Sequence, residues 1–188
     1  MRVKPEDFNT ASASYPKFNP HITLVSQLPA AVENDPGILQ SVIPQQDVPL
    51  KCRFASIDVG DAYFRSVLVA IKPSVQLLEL HQKVHENLQI ERKTPLFPHL
   101  SLVYITDEDA ARGERMKYYD LLTSGRRFRG NLSGDVTGEE GVSLRYGPGE
   151  EEGWMDSFDA TEVWAVKCDG PVESWEVKAK YPLFGKQI

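Results

Sequence analysis

Two short stretches of this 188-residue chain place a histidine directly after a proline and two positions before a hydroxyl residue. The first reads Phe-Asn-Pro-His-Ile-Thr-Leu and contains His21 and Thr23. The second reads Phe-Pro-His-Leu-Ser-Leu and contains His99 and Ser101. The whole chain has 4 histidines, so the matched placement of two of them indicates a shared chemical role.

The four residues are suited to acid–base chemistry on a phosphate ester. Imidazoles titrate near neutral pH, so one can take a proton from water while the other protonates a leaving alkoxide. Hydroxyl groups can donate hydrogen bonds to phosphate oxygens. Hydrolysis of a cyclic phosphodiester needs this division of roles, and we therefore expect neither a metal ion nor a cofactor.

Strands are the elements that would bring these side chains together. Residues two apart on a strand project from the same face, whereas the residue between them faces the other side. We predict strands over residues 21–26 and 99–105, with Ile22 and Leu100 as packed anchors. Two such strands side by side would make both imidazoles and both hydroxyls converge.

The rest of the sequence predicts an α+β fold with antiparallel sheets rather than an alternating, doubly wound one. Turn residues, helix caps and the spacing of apolar residues locate the elements. In chain order we predict an irregular lead-in over about residues 1–16, a short helix near 38–42, a strand hairpin over 52–60 and 63–71, a helix after the cap Ser74, a second helix over 106–125, two short strands within 126–147, an acidic loop over 147–159 and an antiparallel pair over 160–168 and 175–183.

Length and charge limit the possible partners. The chain fits a single domain, residues 1–188, and we expect a cytoplasmic monomer that acts on a small molecule. Its net charge of -6 disfavours a long nucleic-acid groove, which needs a basic surface. No apolar run reaches the ~20 residues that span a bilayer, so we expect no membrane contact. We expect Cys52 and Cys168 to be free thiols.

Two further groups of residues have alternative interpretations. His81 and His85 have the i, i+4 spacing of metal ligands on a helix, but no nearby side chain completes a ligand set, which favours a structural role. Arg126, Arg127 and Arg129 could hold a second phosphate, although a solvated strand edge is the simpler interpretation. The run Glu150–Glu152 is interpreted as a solvated loop.

Through its two histidine motifs, the sequence resembles the 2H phosphoesterase superfamily, and within it the cyclic phosphodiesterases of fungi and plants. The resemblance covers about residues 15–185. It rests on the stretches PKFNPHITL, FRSVLVAI, LHQKVHENL, PLFPHLSLVY and EVWAVKCDGPVESWEVKAKYPL.

The resemblance implies a bilobal α+β fold, with two antiparallel-sheet lobes related by a pseudo-two-fold axis around a central cleft and with the helices outside. It implies hydrolysis of ADP-ribose 1″,2″-cyclic phosphate to ADP-ribose 1″-phosphate and of nucleoside 2′,3′-cyclic phosphates to 2′-phosphates. His21 and His99 would be the acid–base pair, with Thr23 and Ser101 binding phosphate. The residues leave open which histidine is the base, and the resemblance favours His99.

Two features of the sequence differ from what the resemblance implies. Tyr104 matches an aromatic residue near the ligand, but simple alternation turns it away from His99, so its role requires a twist or a bulge. The family also has an apolar strand and a helix before the first motif, where this sequence has about 20 mostly polar residues before His21.

Two other functions remain open on the sequence. One is a related enzyme that opens 2′,3′-cyclic phosphate ends on RNA, or a ligase-like protein that acts on tRNA halves; the acidic balance disfavours it. The other is a nucleotide-binding module without turnover. Binding alone does not require two proton-transfer groups, so the presence of both histidines disfavours that function.

Overall fold

The computed structural model describes residues 13–34, 37–94, 96–131, 140–146 and 153–184. The predicted lead-in and the predicted acidic loop therefore lie partly outside the described residues. The helices within these ranges are α1 (Ala30–Asn34), α2 (Gly37–Val42), α3 (Val75–Leu88), α4 (Asp107–Ala111) and α5 (Glu114–Ser124). The strands are β1 (Leu50–Val59), β2 (Val67–Ile71), β3 (His99–Val103), β4 (Phe128–Asn131), β5 (Gly141–Tyr146), β6 (Gly153–Met155), β7 (Ser157–Ala160), β8 (Glu162–Lys167) and β9 (Glu176–Pro182).

The strands of the described ranges form three sheets. Their orders are β3-β2-β1-β7, β4-β5-β6 and β8-β9. The pairs β1–β2, β2–β3, β4–β5, β5–β6 and β8–β9 are all antiparallel. The predicted α+β class with antiparallel sheets is confirmed.

The chain divides into two compact units, as the predicted bilobal fold requires. The first comprises Met1–Ile22, Arg53–Ile71 and His99–Ser157, and the second comprises Thr23–Cys52, Lys72–Pro98 and Phe158–Ile188. The boundary between the units falls inside the first motif, between Ile22 and Thr23. The cleft and the pseudo-two-fold axis, which concern the relation between the units, stay predictions.

In the first unit, the hairpin of β1 and β2 supplies the frame for β3. Gly60 follows β1, and its N–H donates to the carbonyl of Ser66 at 3.0 Å. A Cβ at Gly60 would lie 1.9 Å from the carbonyl oxygen of Arg65, so no other residue fits this turn without a backbone shift. The predicted hairpin is confirmed, although Tyr63–Arg65 form a 3-10 turn and β2 begins only at Val67.

A break divides the predicted helix over residues 106–125. Gly113 adopts a left-handed conformation with φ +82°, which ends one helical segment and begins the next. Thr106 caps α4, because its hydroxyl accepts a hydrogen bond from the N–H of Asp109. The second segment, α5, packs against β2 and β4 and buries Tyr118 and Leu122 in the first unit.

In the second unit, α3 matches its prediction closely. The hydroxyl of Ser74 accepts from the N–H of Leu77, which satisfies one of the free donors at the helix start. The residues at 77, 80, 84 and 88 are all buried, as the apolar spacing predicts. The closing pair of β8 and β9 and the short helix α2 are also confirmed.

Two of the local predictions are wrong. Residues 21–26 do not form a strand; within them only Ile22 makes a β-bridge. The described part of the predicted loop over 147–159 contains β6 and most of β7, because β6 pairs with β5 through contacts that a local pattern does not reveal. Within the described part of the chain, no helix combines the length and the apolar character that crossing a bilayer requires.

Candidate active site

The second histidine motif lies in a regular part of the sheet. His99, Leu100 and Ser101 pair in turn with residues of β2, and Leu100 is buried as the predicted anchor. His99 is half-buried, and Ser101 is 7% exposed. His99 and Ser101 therefore project from one face of β3, as the sequence predicts.

A bulge in β3 accounts for Tyr104. Val103 pairs with Val67 and Ser101 pairs with Leu68, so Leu102 is an extra residue with no counterpart on β2. One extra residue shifts the alternation by one position, which brings Tyr104 into phase with His99 and Ser101. The bulge that a role for Tyr104 requires is therefore present.

The first motif meets the second through a single bridge. Ile22 and Leu100, the middle residues of the two motifs, form an isolated antiparallel bridge. The two motifs thus lie side by side at their centres, although the first is not a strand.

Contacts within its own segment orient His21. Its ring is exposed, and Nδ1 lies 2.7 Å from the backbone carbonyl oxygen of Asn19. A carbonyl only accepts, so Nδ1 carries the proton that is donated and Nε2 is left for chemistry. The ring of Phe18 meets His21 edge-on, with centroids 6.3 Å apart.

An aromatic cluster stands beside the motifs in the first unit. Phe18 stacks on Tyr104 with centroids 4.1 Å apart and an angle of 9° between the rings. Phe64 meets Tyr104 edge-on at 5.3 Å, and Tyr63 contacts both of these rings. Tyr104 is 3% exposed, whereas Phe64 is 51% exposed, so Phe64 provides the accessible aromatic surface of the cluster.

The hydroxyl of Ser101 already has an acceptor. It donates to the carbonyl oxygen of Phe64 at 2.7 Å, which joins β3 to the 3-10 turn. A hydroxyl has one proton, so donation to a phosphate requires the Ser101 hydroxyl to rotate away from Phe64. Thr23, the other predicted phosphate ligand, begins the second unit and is half-buried.

Buried polar contacts tie the segment before His21 to the helices of the first unit. Ser14 donates to Asp109, which is 1% exposed, at 2.5 Å. The N–H of Tyr15 donates to the carbonyl of Tyr104, and its phenol donates to Glu114. Burial, followed by this carboxylate, raises the pKa of the Tyr15 phenol, so it remains a donor.

The second pair of histidines is packed inside the second unit. His81 and His85 are both buried in α3, with ring centroids 4.2 Å apart. Nδ1 of His85 donates to the carbonyl of His81 at 2.7 Å, and the ring of His85 lines a cavity of about 280 Å³ together with Ser26, Gln27 and Lys93. Across the described ranges, no group of three or more His, Cys, Asp or Glu residues is arranged to hold a metal ion.

The basic cluster and the cysteines also have defined surroundings. The guanidinium of Arg129 lies over the ring of Trp154, 4.2 Å from its centre, which supports the interpretation of a strand surface rather than a phosphate site. Cys52 is buried, Cys168 is exposed, and both are free, as predicted. Burial, followed by Asp159, raises the pKa of the Cys52 thiol to about 11.

Sequence reasoning missed two contributors to this site. Phe18 lies three positions before His21, and a phenylalanine also precedes His99 by two positions. This shared phenylalanine was a signal that the sequence offered. Phe64 is separated from Ser101 by 37 positions and binds it through a backbone carbonyl, so no pattern of side-chain types indicates the contact.

Comparison with known proteins identifies the family to which a chain with this fold and these two motifs belongs. The model of the family described as "Cyclic phosphodiesterase-like protein" matches residues 4–183. The chain belongs to this family, and its class of activity is that of a cyclic phosphodiesterase.

Two relatives agree with this assignment. The chain is 26% identical over 203 residues to a 2',3'-cyclic-nucleotide 3'-phosphodiesterase of Kluyveromyces lactis, covering 96% of this chain and 89% of the relative. It is 25% identical over 122 residues to a cyclic phosphodiesterase of Arabidopsis thaliana, covering 62% of this chain and 65% of the relative.

Proposed function

We propose that this chain hydrolyses nucleoside 2′,3′-cyclic phosphates to 2′-phosphates and ADP-ribose 1″,2″-cyclic phosphate to ADP-ribose 1″-phosphate, without a metal ion. His21 and His99 act as the acid–base pair, Thr23 and Ser101 bind the phosphate, and Tyr104 contributes to substrate binding. The observation that carries the proposal is the bridge between Ile22 and Leu100, which sets the two motifs side by side.

The reaction requires one proton removal and one proton delivery. One imidazole takes a proton from water, the water oxygen bonds to phosphorus, and the bond from phosphorus to the 3′ oxygen breaks. The other imidazole protonates that oxygen, which leaves the phosphate on the 2′ oxygen. The exposed His21, with Nδ1 held by the Asn19 carbonyl, has Nε2 available for one of these transfers.

The regiochemistry of the proposal draws on the relatives. The name of the Kluyveromyces protein, 2',3'-cyclic-nucleotide 3'-phosphodiesterase, specifies cleavage of the 3′ ester. Cleavage at that ester gives a 2′-phosphate. A substrate with a small anionic group also suits a chain of net charge -6 better than a long nucleic acid does.

Phosphorus-31 NMR tests the proposal directly. The protein is incubated in EDTA with adenosine 2′,3′-cyclic phosphate, and in parallel with ADP-ribose 1″,2″-cyclic phosphate. We expect a single 2′-phosphate and a single 1″-phosphate, identified against authentic standards. A 3′-phosphate product overturns the assigned regiochemistry, and activity that EDTA abolishes and zinc restores overturns the metal-independent mechanism.

Two added measurements separate the proposal from the other functions. An oligoribonucleotide with a 2′,3′-cyclic phosphate end is offered in competition with the mononucleotide. A kcat/KM at least tenfold higher for the oligonucleotide would favour an enzyme of RNA ends. Tight binding of the cyclic nucleotide without turnover would favour a binding module.

A further inference from the structure

His81 contacts Phe97, which precedes the second histidine motif, and Thr94, which is hydrogen-bonded to the residue that follows the first motif. This residue of α3 is 8% exposed and lies in the second unit. Its ring stacks on Phe97 with centroids 4.0 Å apart and an angle of 22° between the planes. Its Nε2 lies 3.3 Å from the hydroxyl oxygen of Thr94. One side chain therefore makes two different kinds of contact.

The contact with Thr94 continues to the first motif. The hydroxyl of Thr94 donates to the backbone carbonyl of Leu24 at 2.9 Å. Because that hydroxyl has one proton, its oxygen accepts from His81, and the Nε2 of His81 must carry a hydrogen. The hydrogen bonds therefore run in one direction, from His81 to Thr94 to Leu24.

The neutral form of His81 suits this arrangement. Burial, followed by the neighbouring His85 and Arg92, lowers the pKa of His81 to about 4. At neutral pH the imidazole is uncharged, and one of its tautomers supplies the hydrogen bond.

The two contacts end next to motif residues. Leu24 directly follows Thr23, and Phe97 precedes His99 by two positions, with the Phe97–Pro98 peptide bond in the cis form. The N–H of His81 therefore holds, through Thr94, the residue that follows the first motif. The face of its ring holds Phe97, which precedes the second motif.

We propose that His81 is a positioning residue for the hydrolysis, holding Thr23 through Thr94 and Leu24 and holding His99 through Phe97. The inference rests on the proposed function, since it assumes that both motifs act on one phosphate. Misplacement of a reacting group by about 1 Å can cost roughly 100-fold in rate. Loss of the contacts to His81 should therefore lower kcat more than it raises KM.

The test uses variants that remove one contact at a time. His81→Phe keeps a ring against Phe97 and removes the N–H, and Thr94→Val removes the hydroxyl at nearly constant volume. Thr94→Ser restores the hydroxyl. Asn87→Ala is the matched control, because Asn87 also donates from α3 to a backbone carbonyl, that of Val42 at 2.8 Å, which belongs to α2.

Steady-state kinetics with adenosine 2′,3′-cyclic phosphate and melting temperatures are measured for each variant. We expect kcat to fall about 10- to 100-fold in His81→Phe and in Thr94→Val, with KM within about threefold of the wild-type value. Thr94→Ser should retain at least a third of the wild-type kcat, and Asn87→Ala should lose stability without losing kcat.

Each alternative outcome has a definite meaning. If Thr94→Val keeps kcat within twofold of wild type, the inference is wrong, even where His81→Phe fails to fold. If the kcat of every variant, including Asn87→Ala, simply follows its melting temperature, His81 is structural and the inference is also wrong. An inactive wild-type protein instead overturns the proposed function.

Discussion

The two histidine motifs are alike in sequence but are held in different ways. His99 and Ser101 lie in β3, where each of the three motif residues His99–Ser101 pairs with a residue of β2. His21 follows an irregular segment and is exposed, and its neighbour Ile22 makes a single bridge. His21 is oriented by local contacts to Asn19 and Phe18, whereas His99 is oriented by the pairing of its strand. The comparison shows that one chemical pattern can be presented by a sheet or by a short tethered segment.

The largest effect expected is the loss of either catalytic histidine. His21→Ala and His99→Ala should each lower kcat about 10²- to 10⁴-fold, since each removes a proton-transfer group. The double variant should be little worse than either single variant, because groups that act as a unit are not additive. Steady-state kinetics with a cyclic nucleotide measures this, and near wild-type kcat in either single variant would refute the paired mechanism.

The same two variants should differ in thermal stability, because the two histidines are buried to different extents. His21 is exposed, so His21→Ala should change the melting temperature by less than about 2 °C. His99 is half-buried, so His99→Ala should lower the melting temperature more than His21→Ala does. Equal losses of stability, measured by circular dichroism, would show that the two histidines are equally buried in the folded protein.

The hydroxyl residues should give the next largest effect. If the two hydroxyls donate hydrogen bonds to the phosphate oxygens in the transition state, Thr23→Ala and Ser101→Ala should each weaken transition-state stabilisation by about 2–4 kcal/mol, the usual cost of removing one such donor. Exchanging serine and threonine between the two motifs should affect their stability differently. Ser101→Thr adds a methyl group at a position only 7% exposed and should cost about 1–3 kcal/mol of unfolding free energy, whereas Thr23→Ser should fold normally. Urea denaturation and kcat/KM check both, and a fully stable Ser101→Thr would contradict this prediction.

A smaller effect concerns the pH dependence of stability that the buried residue His81 causes. Its pKa of about 4 in the folded protein lies below the ordinary histidine value of 6.5. The unfolded chain therefore binds more protons than the folded protein between these values, and the free energy of unfolding falls as the pH drops through this range. Between pH 7 and pH 5 the loss from this residue should be about 2 kcal/mol.

His81→Phe removes the titrating group, so its stability should fall less between pH 7 and pH 5 than that of the wild type. Denaturant midpoints at the two pH values give the comparison for both proteins. Parallel changes in the two proteins would show that His81 does not titrate as a buried residue.

The smallest effect tests the local contacts of the first motif. Phe18→Leu keeps an apolar side chain but removes the ring that lies between His21 and Tyr104. We expect kcat to fall roughly fivefold, the equivalent of about 1 kcal/mol for one aromatic pair. Phe128→Leu is the control, because it removes an aromatic contact to Tyr119 in the same unit. Equal kcat values for the two variants would show that Phe18 does not help to orient His21.

Local signals in the sequence were sufficient for much of the fold. Gly60 marked the hairpin, and Ser74 marked the start of α3. The first motif alternates as a strand does, but a strand also needs a partner along its length, and the chain passes into the second unit after Ile22. The break at Gly113 depends on a left-handed backbone conformation, which glycine permits without requiring.

The candidate site was predictable only in its chemical groups. A histidine two positions before a hydroxyl residue, present twice, could be recognised from the sequence, and the bridge between Ile22 and Leu100 brings the middle residues of the two motifs together. The acceptor of the Ser101 hydroxyl is a backbone carbonyl of a distant turn, and every residue has such a carbonyl. Contacts of that kind follow from the fold and leave no trace in residue types.

The extra residue in β3 affects how relatives of this chain should be aligned. His99 and Tyr104 are separated by an odd interval, and only the bulge at Leu102 lets them share a face. A homologue with a regular strand would present the same two side chains with its aromatic residue four positions after the histidine instead of five. The aromatic residues of the two proteins would occupy equivalent positions in the structures but would be shifted by one position in a sequence alignment. A gap placed at Leu102 would bring their functional residues into correspondence, and an ungapped alignment would hide it.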